Sequence, residues 1–250
     1  MWYKIKKIYQ WTNLVRPEPP FKPWANTLAY YPLESNGNDY SWNWHNLTWN
    51  STPIYWTSWW TKNVANLTAN NVWRISSLWW DYTNYTLNVW CKPTWTSDQW
   101  QLIFSNFYTP TSWQDATNQV YFYFNWHSDY ISWKKDFVYQ YRPNWWTTAY
   151  QTVSSSTNRE KNARYNVCVA STSSWVKLYL NWTQIASNST TWRMILNSWY
   201  NTIWWRYDSR RNRYDGFLWW YLSEFILENK TWTATEISDY YNQTKSLYWL

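Results

Sequence analysis

A chain of short strands and tight turns needs residues that reach positive φ, and this one has almost none of the usual kind. Its 250 residues include 2 Gly and 30 Trp. Ordinary usage of about 7% would supply roughly 17 Gly. Lacking a Cβ, Gly enters the left-handed region at little steric cost, which is why two-residue hairpin loops favour Asn-Gly. Here the same slots read Asn-Trp, at Asn43-Trp44, Asn125-Trp126, Asn144-Trp145 and Asn181-Trp182. Ser-Trp recurs at Trp42, Trp59, Trp113, Trp133, Trp175 and Trp199, and Trp pairs stand at Trp59-Trp60, Trp79-Trp80, Trp204-Trp205 and Trp219-Trp220. A surplus of Trp does not by itself remove Gly, so one cause is expected for both anomalies. Most of these Trp are expected to be Gly positions encoded by UGA, a stop codon that some bacterial lineages and their phages reassign to Gly and a common translation table reads as Trp. Trp90 is expected to be genuine. The alternative is an authentic Trp-rich chain dense in sugar-stacking indoles.

The length suits one large β domain. A net charge of +7 and a pI near 9.2 favour anionic partners, but the charge is thinly spread. Nucleic acid is not an expected partner. No apolar run reaches the roughly 18 residues of a membrane span. The basic opening MWYKIKKIYQW lacks the apolar core of a signal peptide. A surface rich in Asn, Thr, Ser and Tyr without an export signal fits an extracellular or cell-surface fragment, or a virion component released by lysis. Sequons such as Asn46, Asn66, Asn84 and Asn188 arise by chance in such a composition. Cys91 and Cys168 both fall in apparent strands; two free buried thiols are expected, with pairing left open if the strands adjoin.

Residues 1–23 form an N-terminal segment and a linker carrying Pro17, Pro19, Pro20 and Pro23, which stiffen the chain and keep it out of a central ladder. Residues 4–16 read as strand, turn, strand, loosely similar to the openings of phage tail and surface structural proteins. The domain proper is expected over residues 24–250. Residues 86–92 alternate, with Leu87, Val89 and Cys91 on one face, and residues 119–125 are aromatic and β-branched. Residues 165–170 and 176–180 flank a polar turn and predict a hairpin. Residues 217–227 are another strand region. A short helix is expected over residues 235–244, with Thr233 and Glu236 in capping-box spacing. Many short strands with regular turns argue for a sandwich or jelly roll.

Four segments, in order over about residues 28–245, carry a resemblance. They are AYYPLESNGND at 29–39 followed by SWNWHNLT at 41–48, LNVWCKP at 87–93, KLYLNW at 177–182, and YDGFL at 214–218 with Glu224-Phe225 and WTATEI at 232–237. Together they resemble the laminin-G-like jelly-roll family of the concanavalin-A-like lectin and glucanase superfamily, with Trp42, Trp44 and Trp182 where that family has Gly. Arg164 departs from the Trp usual there. The resemblance implies an all-β, two-sheet antiparallel jelly-roll sandwich with a short C-terminal helix, acting as a non-catalytic binding module.

Catalysis is weighed on Glu224 and Glu228, four apart and so on one strand face. The superfamily's sandwich glycosidases pair carboxylates on a strand, but the intervening Asp of their motif is missing, and a structural role is expected. His45 and His127 are far apart, and no nucleophile-elbow pattern accompanies them. Some laminin-G-like modules hold Ca²⁺, for which Asp208 and Asp215 are the candidates here; Asp39 lies in the opening turn, and solvated turn aspartates are the competing reading. Arg206, Arg210, Arg211 and Arg213, interleaved with Tyr207 and Tyr214, form a basic aromatic stretch suited to acidic glycan, or to a charged edge that discourages sheet pairing. Tyr139, Tyr141 and Arg142 form a second, weaker set. Trp90 is expected between the sheets, away from ligand. The expected function is carbohydrate binding or adhesion at a cell or virion surface. The alternatives are a structural assembly protein that oligomerises or joins other virion proteins, and, third, a glycoside hydrolase.

Overall fold

A computed structural model describes residues 21, 23–33, 36–49, 54–56, 64–67, 73–75, 80–93, 101–106, 119–125, 136–142, 151–155, 157, 159–160, 163–190, 193–196, 201–203, 206–208, 213–215 and 220–248. In chain order the strands begin with β1 (Thr27–Tyr31), β2 (Leu47–Trp49), β3 (Ile54–Trp56), β4 (Val64–Leu67), β5 (Trp73–Ile75), β6 (Trp80–Tyr82) and β7 (Tyr85–Pro93). Then come β8 (Gln101–Ser105), β9 (Gln119–Asn125), β10 (Asp136–Arg142), β11 (Gln151–Val153), β12 (Tyr165–Ser171), β13 (Val176–Leu180) and β14 (Thr183–Asn188). The last are β15 (Met194–Leu196), β16 (Thr202–Ile203), β17 (Arg206–Asp208), β18 (Arg213–Asp215) and β19 (Trp220–Glu228), followed by α1 (Ala234–Thr244) and a 3₁₀ turn at Lys245–Leu247.

All pairings are antiparallel. One sheet runs β14-β13-β12-β7-β19-β4-β3, and β1 shares the free edge of β19 with β4. The other runs β11-β10-β9-β8-β16-β5-β2. Two short ribbons, β6 with β15 and β17 with β18, stand apart. The inward rows of both sheets make one core. Leu87 and Val89 of β7, Val167 and Val169 of β12, and Phe225 and Leu227 of β19 meet Phe104 of β8, Phe122 of β9 and Phe137 of β10. Rings cross the interface: Phe104 lies 5.9 Å from Phe225, and Phe137 lies 5.4 Å edge-on from Tyr165. Each such side chain contributes about 1.5–3 kcal/mol by leaving water. The fold is thus the expected two-sheet sandwich.

The first sheet is buried on its other face too. There Tyr30, Trp90, Cys168, Tyr179 and Ile226 pack against Ile237, Tyr240 and Tyr241 of α1. The helix begins where the capping box places it: the Thr233 hydroxyl accepts from the Glu236 amide, and the Glu236 carboxyl accepts from the Thr233 amide. Its buried residues, Ile237, Tyr240, Tyr241 and Thr244, lie on one face at helical spacing. Trp90 is buried as expected but not between the sheets. It stacks on Tyr241 and Tyr248, at 5.7 and 4.5 Å, and its indole N–H donates to the Thr244 hydroxyl at 3.1 Å. Even-numbered residues of β7 face α1, so Trp90 cannot share the side of Leu87 and Val89. Phe21, on the linker side of the boundary drawn at residue 23, is buried against Tyr30 at 5.1 Å. The strand-turn-strand expected over residues 4–16 lies outside the described residues.

The predicted hairpin is β12-β13, closed by the Thr172 amide donating to the Trp175 carbonyl at 2.8 Å. It continues into β14 through a two-residue loop, Asn181-Trp182, with φ of 47° and 68°. Cys91 and Cys168 are free and buried on the adjoining strands β7 and β12, but the register sets Cys91 opposite Tyr165 and Cys168 opposite Asn88. One thiol faces the inter-sheet core and the other faces α1, so they cannot bond. Burial pushes both thiols up, and the nearby Glu228 adds to the rise at Cys168. Iodoacetamide at neutral pH is therefore expected to leave both unmodified in the folded protein and to modify both in urea, as read by intact mass.

Candidate functional site

A β-bulge decides what faces α1. β19 pairs Leu222 with Cys91 and Glu224 with Trp90, leaving Ser223 as the extra residue. Leu222 and Phe225, three apart, therefore both reach the inter-sheet core, while Glu224, Ile226 and Glu228 turn to the helix. The expectation that Glu224 and Glu228 share a face holds. Their environments differ.

Glu224 is fully enclosed. One carboxyl oxygen accepts the Tyr30 hydroxyl at 2.7 Å, and the other accepts those of Tyr240 and Tyr248 at 2.5 and 2.9 Å. These donors come from β1, α1 and the residue after the 3₁₀ turn. Burial, and then the Glu224 carboxyl beside it, hold the Tyr240 phenol well above its usual range. The Tyr248 carbonyl is fixed by the Arg164 guanidinium at 2.8 Å. Arg164 thus ties down the C-terminal segment.

Glu228 is also buried, accepting from the Thr27 hydroxyl at 2.9 Å and from the Trp232 indole. Burial raises its carboxyl above the usual range, only partly offset by those donors and Lys230. Glu228 lies on the wall of a cleft of about 460 Å³ between α1 and the segment leading into β1. Buried Phe21, Trp232 and Tyr240 supply its aromatic side, with exposed Trp24 nearby. Asn26, Lys230, Glu236, Asp239 and Gln243 supply its polar side. Burial alone would raise Glu236, but Lys230 and the Thr233 donors outweigh it and leave the carboxyl below its usual range. Apolar ring faces beside carboxylates and amides can stack on a sugar ring and bond its hydroxyls. Sequence reasoning missed this cleft; the capping box is a local signal for the helix wall, but nothing local shows that residues 21–26 fold against it.

Asp39 is not solvated. It is buried, and four donors saturate it: the Tyr30 and Ser41 amides at 2.9 and 2.8 Å, the Ser41 hydroxyl at 2.6 Å and the His45 amide at 2.8 Å. This leaves no lone pair well placed for a cation, and the carboxylate instead winds residues 41–45 around itself. Within that loop Trp44 has φ of 59°. The Tyr31 hydroxyl adds a bond to the His45 carbonyl at 2.5 Å.

The basic aromatic stretch folds as the β17-β18 ribbon, whose register sets Arg206 opposite Asp215, Tyr207 opposite Tyr214 and Asp208 opposite Arg213. Both candidate calcium ligands thus stand across from an arginine. Arg210, Arg211 and His127 lie outside the described residues. Tyr139 and Tyr141 are not a binding set: both are buried in the inter-sheet core, and the Tyr139 and Tyr85 hydroxyls are bonded at 2.6 Å. Among the described residues no three His, Cys, Asp or Glu side chains gather to hold a metal ion, and no helix is long and apolar enough to cross a membrane.

No protein-family model and no curated protein matches the chain. Solved structures do, by shape. Domain 4 of a GH43 extracellular arabinanase from Geobacillus stearothermophilus, in complex with arabinotriose, has a TM-score of 0.64 at 12% identity, covering 86% of this chain and 98% of that one. The binding domain of botulinum neurotoxin serotype G has a TM-score of 0.59 at 13% identity, covering 88% of this chain and 52% of that one. The serotype D ligand-binding domain, in complex with N-acetylneuraminic acid, has a TM-score of 0.58 at 11% identity, covering 87% and 50%. This chain spans about half the length of the toxin domains. At such identity the likeness is one of fold. The chain is a β-sandwich.

Glu224→Ala removes the shared acceptor of three buried hydroxyls and is expected to cost about 3 kcal/mol or more, measured by urea unfolding. Glu228 has the opposite sign of a salt-bridged carboxylate. Its contribution is complete below the ordinary Glu range and is lost as pH rises through its elevated folded value. Glu236, held low, adds a constant amount above that range. Stability should therefore fall more steeply in the wild type than in Glu228→Gln as pH rises above the ordinary Glu range, a difference read by a series of thermal melts at increasing pH.

Proposed function

We propose that this chain is a non-catalytic carbohydrate-binding module acting at a cell or virion surface, with the ligand seated in the α1 cleft. The observation that carries this reading is the meeting of aromatic faces from Phe21, Trp232 and Tyr240 with Glu228, Asp239, Asn26 and Gln243 in one open cleft of sugar-sized volume. The sandwich neighbours found in complex with arabinotriose and N-acetylneuraminic acid support the ligand class.

The fate of Glu224 supports a non-catalytic role. A glycosidase needs two carboxyl groups flanking the scissile bond, and here one of the two candidates is buried beneath three tyrosine hydroxyls. Glu228 is bound to Thr27 and Trp232, which hold it as a wall. The cleft carries Glu228, Glu236 and Asp239 against Lys230, an acidic surplus that disfavours anionic sugars and suits a neutral glycan. The basic aromatic stretch of residues 206–214, with Arg206, Arg210, Arg211, Arg213, Tyr207 and Tyr214 in its sequence, is the separate proposal for an acidic one. Calcium at Asp208 and Asp215 would serve the β17-β18 ribbon.

A glycan array spanning neutral, sialylated and sulfated oligosaccharides tests the reading. Binding to neutral oligosaccharides is expected, with a loss of about tenfold or more in affinity for Asp239→Ala combined with Gln243→Ala, both exposed residues. Acidic ligands lost on Arg211→Ala and Arg213→Ala, or on EDTA treatment, would move the site to the ribbon. Oligomerisation with no glycan bound would favour an assembly protein, and hydrolysis abolished by Glu228→Gln would favour an enzyme.

A further inference from the structure

Four of the described tryptophans fall into two physical classes. Trp90 and Trp232 are buried at 1% and 5% exposure, and their indole N–H groups donate to Thr244 and Glu228. These side chains fill the space between the first sheet and α1 and leave no polar atom unmet. Trp44 and Trp182 are the reverse. Their side chains are 79% and 51% exposed, and their backbones sit at φ of 59° and 68°. Leu33 also has a positive φ, of 51°, but its side chain is fully buried in the core, so packing offsets the backbone cost. Asn181, at 47°, is of a type that visits this region readily. For an exposed indole nothing offsets it.

Both turns demand the conformation. At 181–182 two consecutive positive φ values join adjacent antiparallel strands, the φ signature of the type I′ hairpin that favours Asn-Gly. At 44 the left-handed residue sits between Ser41 and His45, whose amides both return to the Asp39 carboxylate. Trp42, 79% exposed, belongs to the same loop. A cavity of about 390 Å³ there is walled by Trp42 and Trp44.

We infer that positions 44 and 182 carry glycine in the protein as its own cell makes it, each codon being a UGA translated by a glycine tRNA, whereas Trp90 and Trp232 are true tryptophans. Position 42 follows position 44. The cavity between residues 42 and 44 is then no binding site, and the α1 cleft keeps Trp232.

The gene and the native protein test this directly. UGA is expected at codons 44 and 182 with UGG at 90 and 232, and the native peptides spanning residues 44 and 182 should have the mass of glycine at those positions. UGG at 44 or 182, or UGA at 90 or 232, overturns the division. In protein made with Trp throughout, Trp44→Gly and Trp182→Gly should each raise Tm by about 2–4 °C, the relief of one strained residue in a chain of this size. Trp90→Gly, opening a cavity under α1, should lower it by more. A fall in Tm for both turn variants would count against the inference as surely as the codons.

Discussion

The C-terminal helix, the first strand and the last strand are joined through one buried carboxyl group. Glu224 stands on β19 with no access to water and accepts hydroxyls from Tyr30, Tyr240 and Tyr248. Burying an unmet carboxyl costs several kcal/mol, so the arrangement is stable only when all three elements are in place together. Trp90 then stacks on Tyr241 and Tyr248, and Arg164 secures the Tyr248 carbonyl. This polar node, surrounded by aromatic rings, docks the helix on the sheet, and the docked helix forms one wall of the cleft beside Glu228.

The consequence for the sheet is burial on both faces. Every residue of β12 is buried, odd positions toward the opposite sheet and even positions toward α1. A strand covered on both sides can place cysteines on neighbouring strands without any chance of their meeting, as Cys91 and Cys168 show. It can also host a tryptophan on the face away from the inter-sheet core. Two polar residues on the helix-facing row are matched: Thr86 with the Lys230 carbonyl and Trp232 amide, Glu228 with Thr27 and Trp232; Asn88, buried two residues along β7 from Thr86, has no partner for its side-chain amide among the described residues.

Local patterns were legible where a single element explains them. The alternation around Leu87 and Val89, the aromatic run of β9, the β12-β13 hairpin and the capping box of α1 all depend on neighbours within a few residues, and each formed as expected. The side of the sheet taken by Trp90, the saturation of Asp39, and the burial of Tyr139 and Tyr141 were not legible. Each depends on what an element far along the chain covers. The bulge at Ser223 is a further case, since a strand's period gives no sign of where one residue is skipped.

Composition and short motifs determined by themselves that the chain is an antiparallel β-sandwich with one capped helix near its end, and that its turns lack the residue their geometry favours. Backbone sterics are local, so a missing glycine is visible without coordinates. Which carboxyl is sealed, which lines a cleft and which tryptophans have somewhere to go were settled only by tertiary packing. Burial and hydrogen-bond saturation are properties of surfaces brought together from residues as distant as Tyr30, Trp90, Glu224 and Tyr248, and no segment carries them alone.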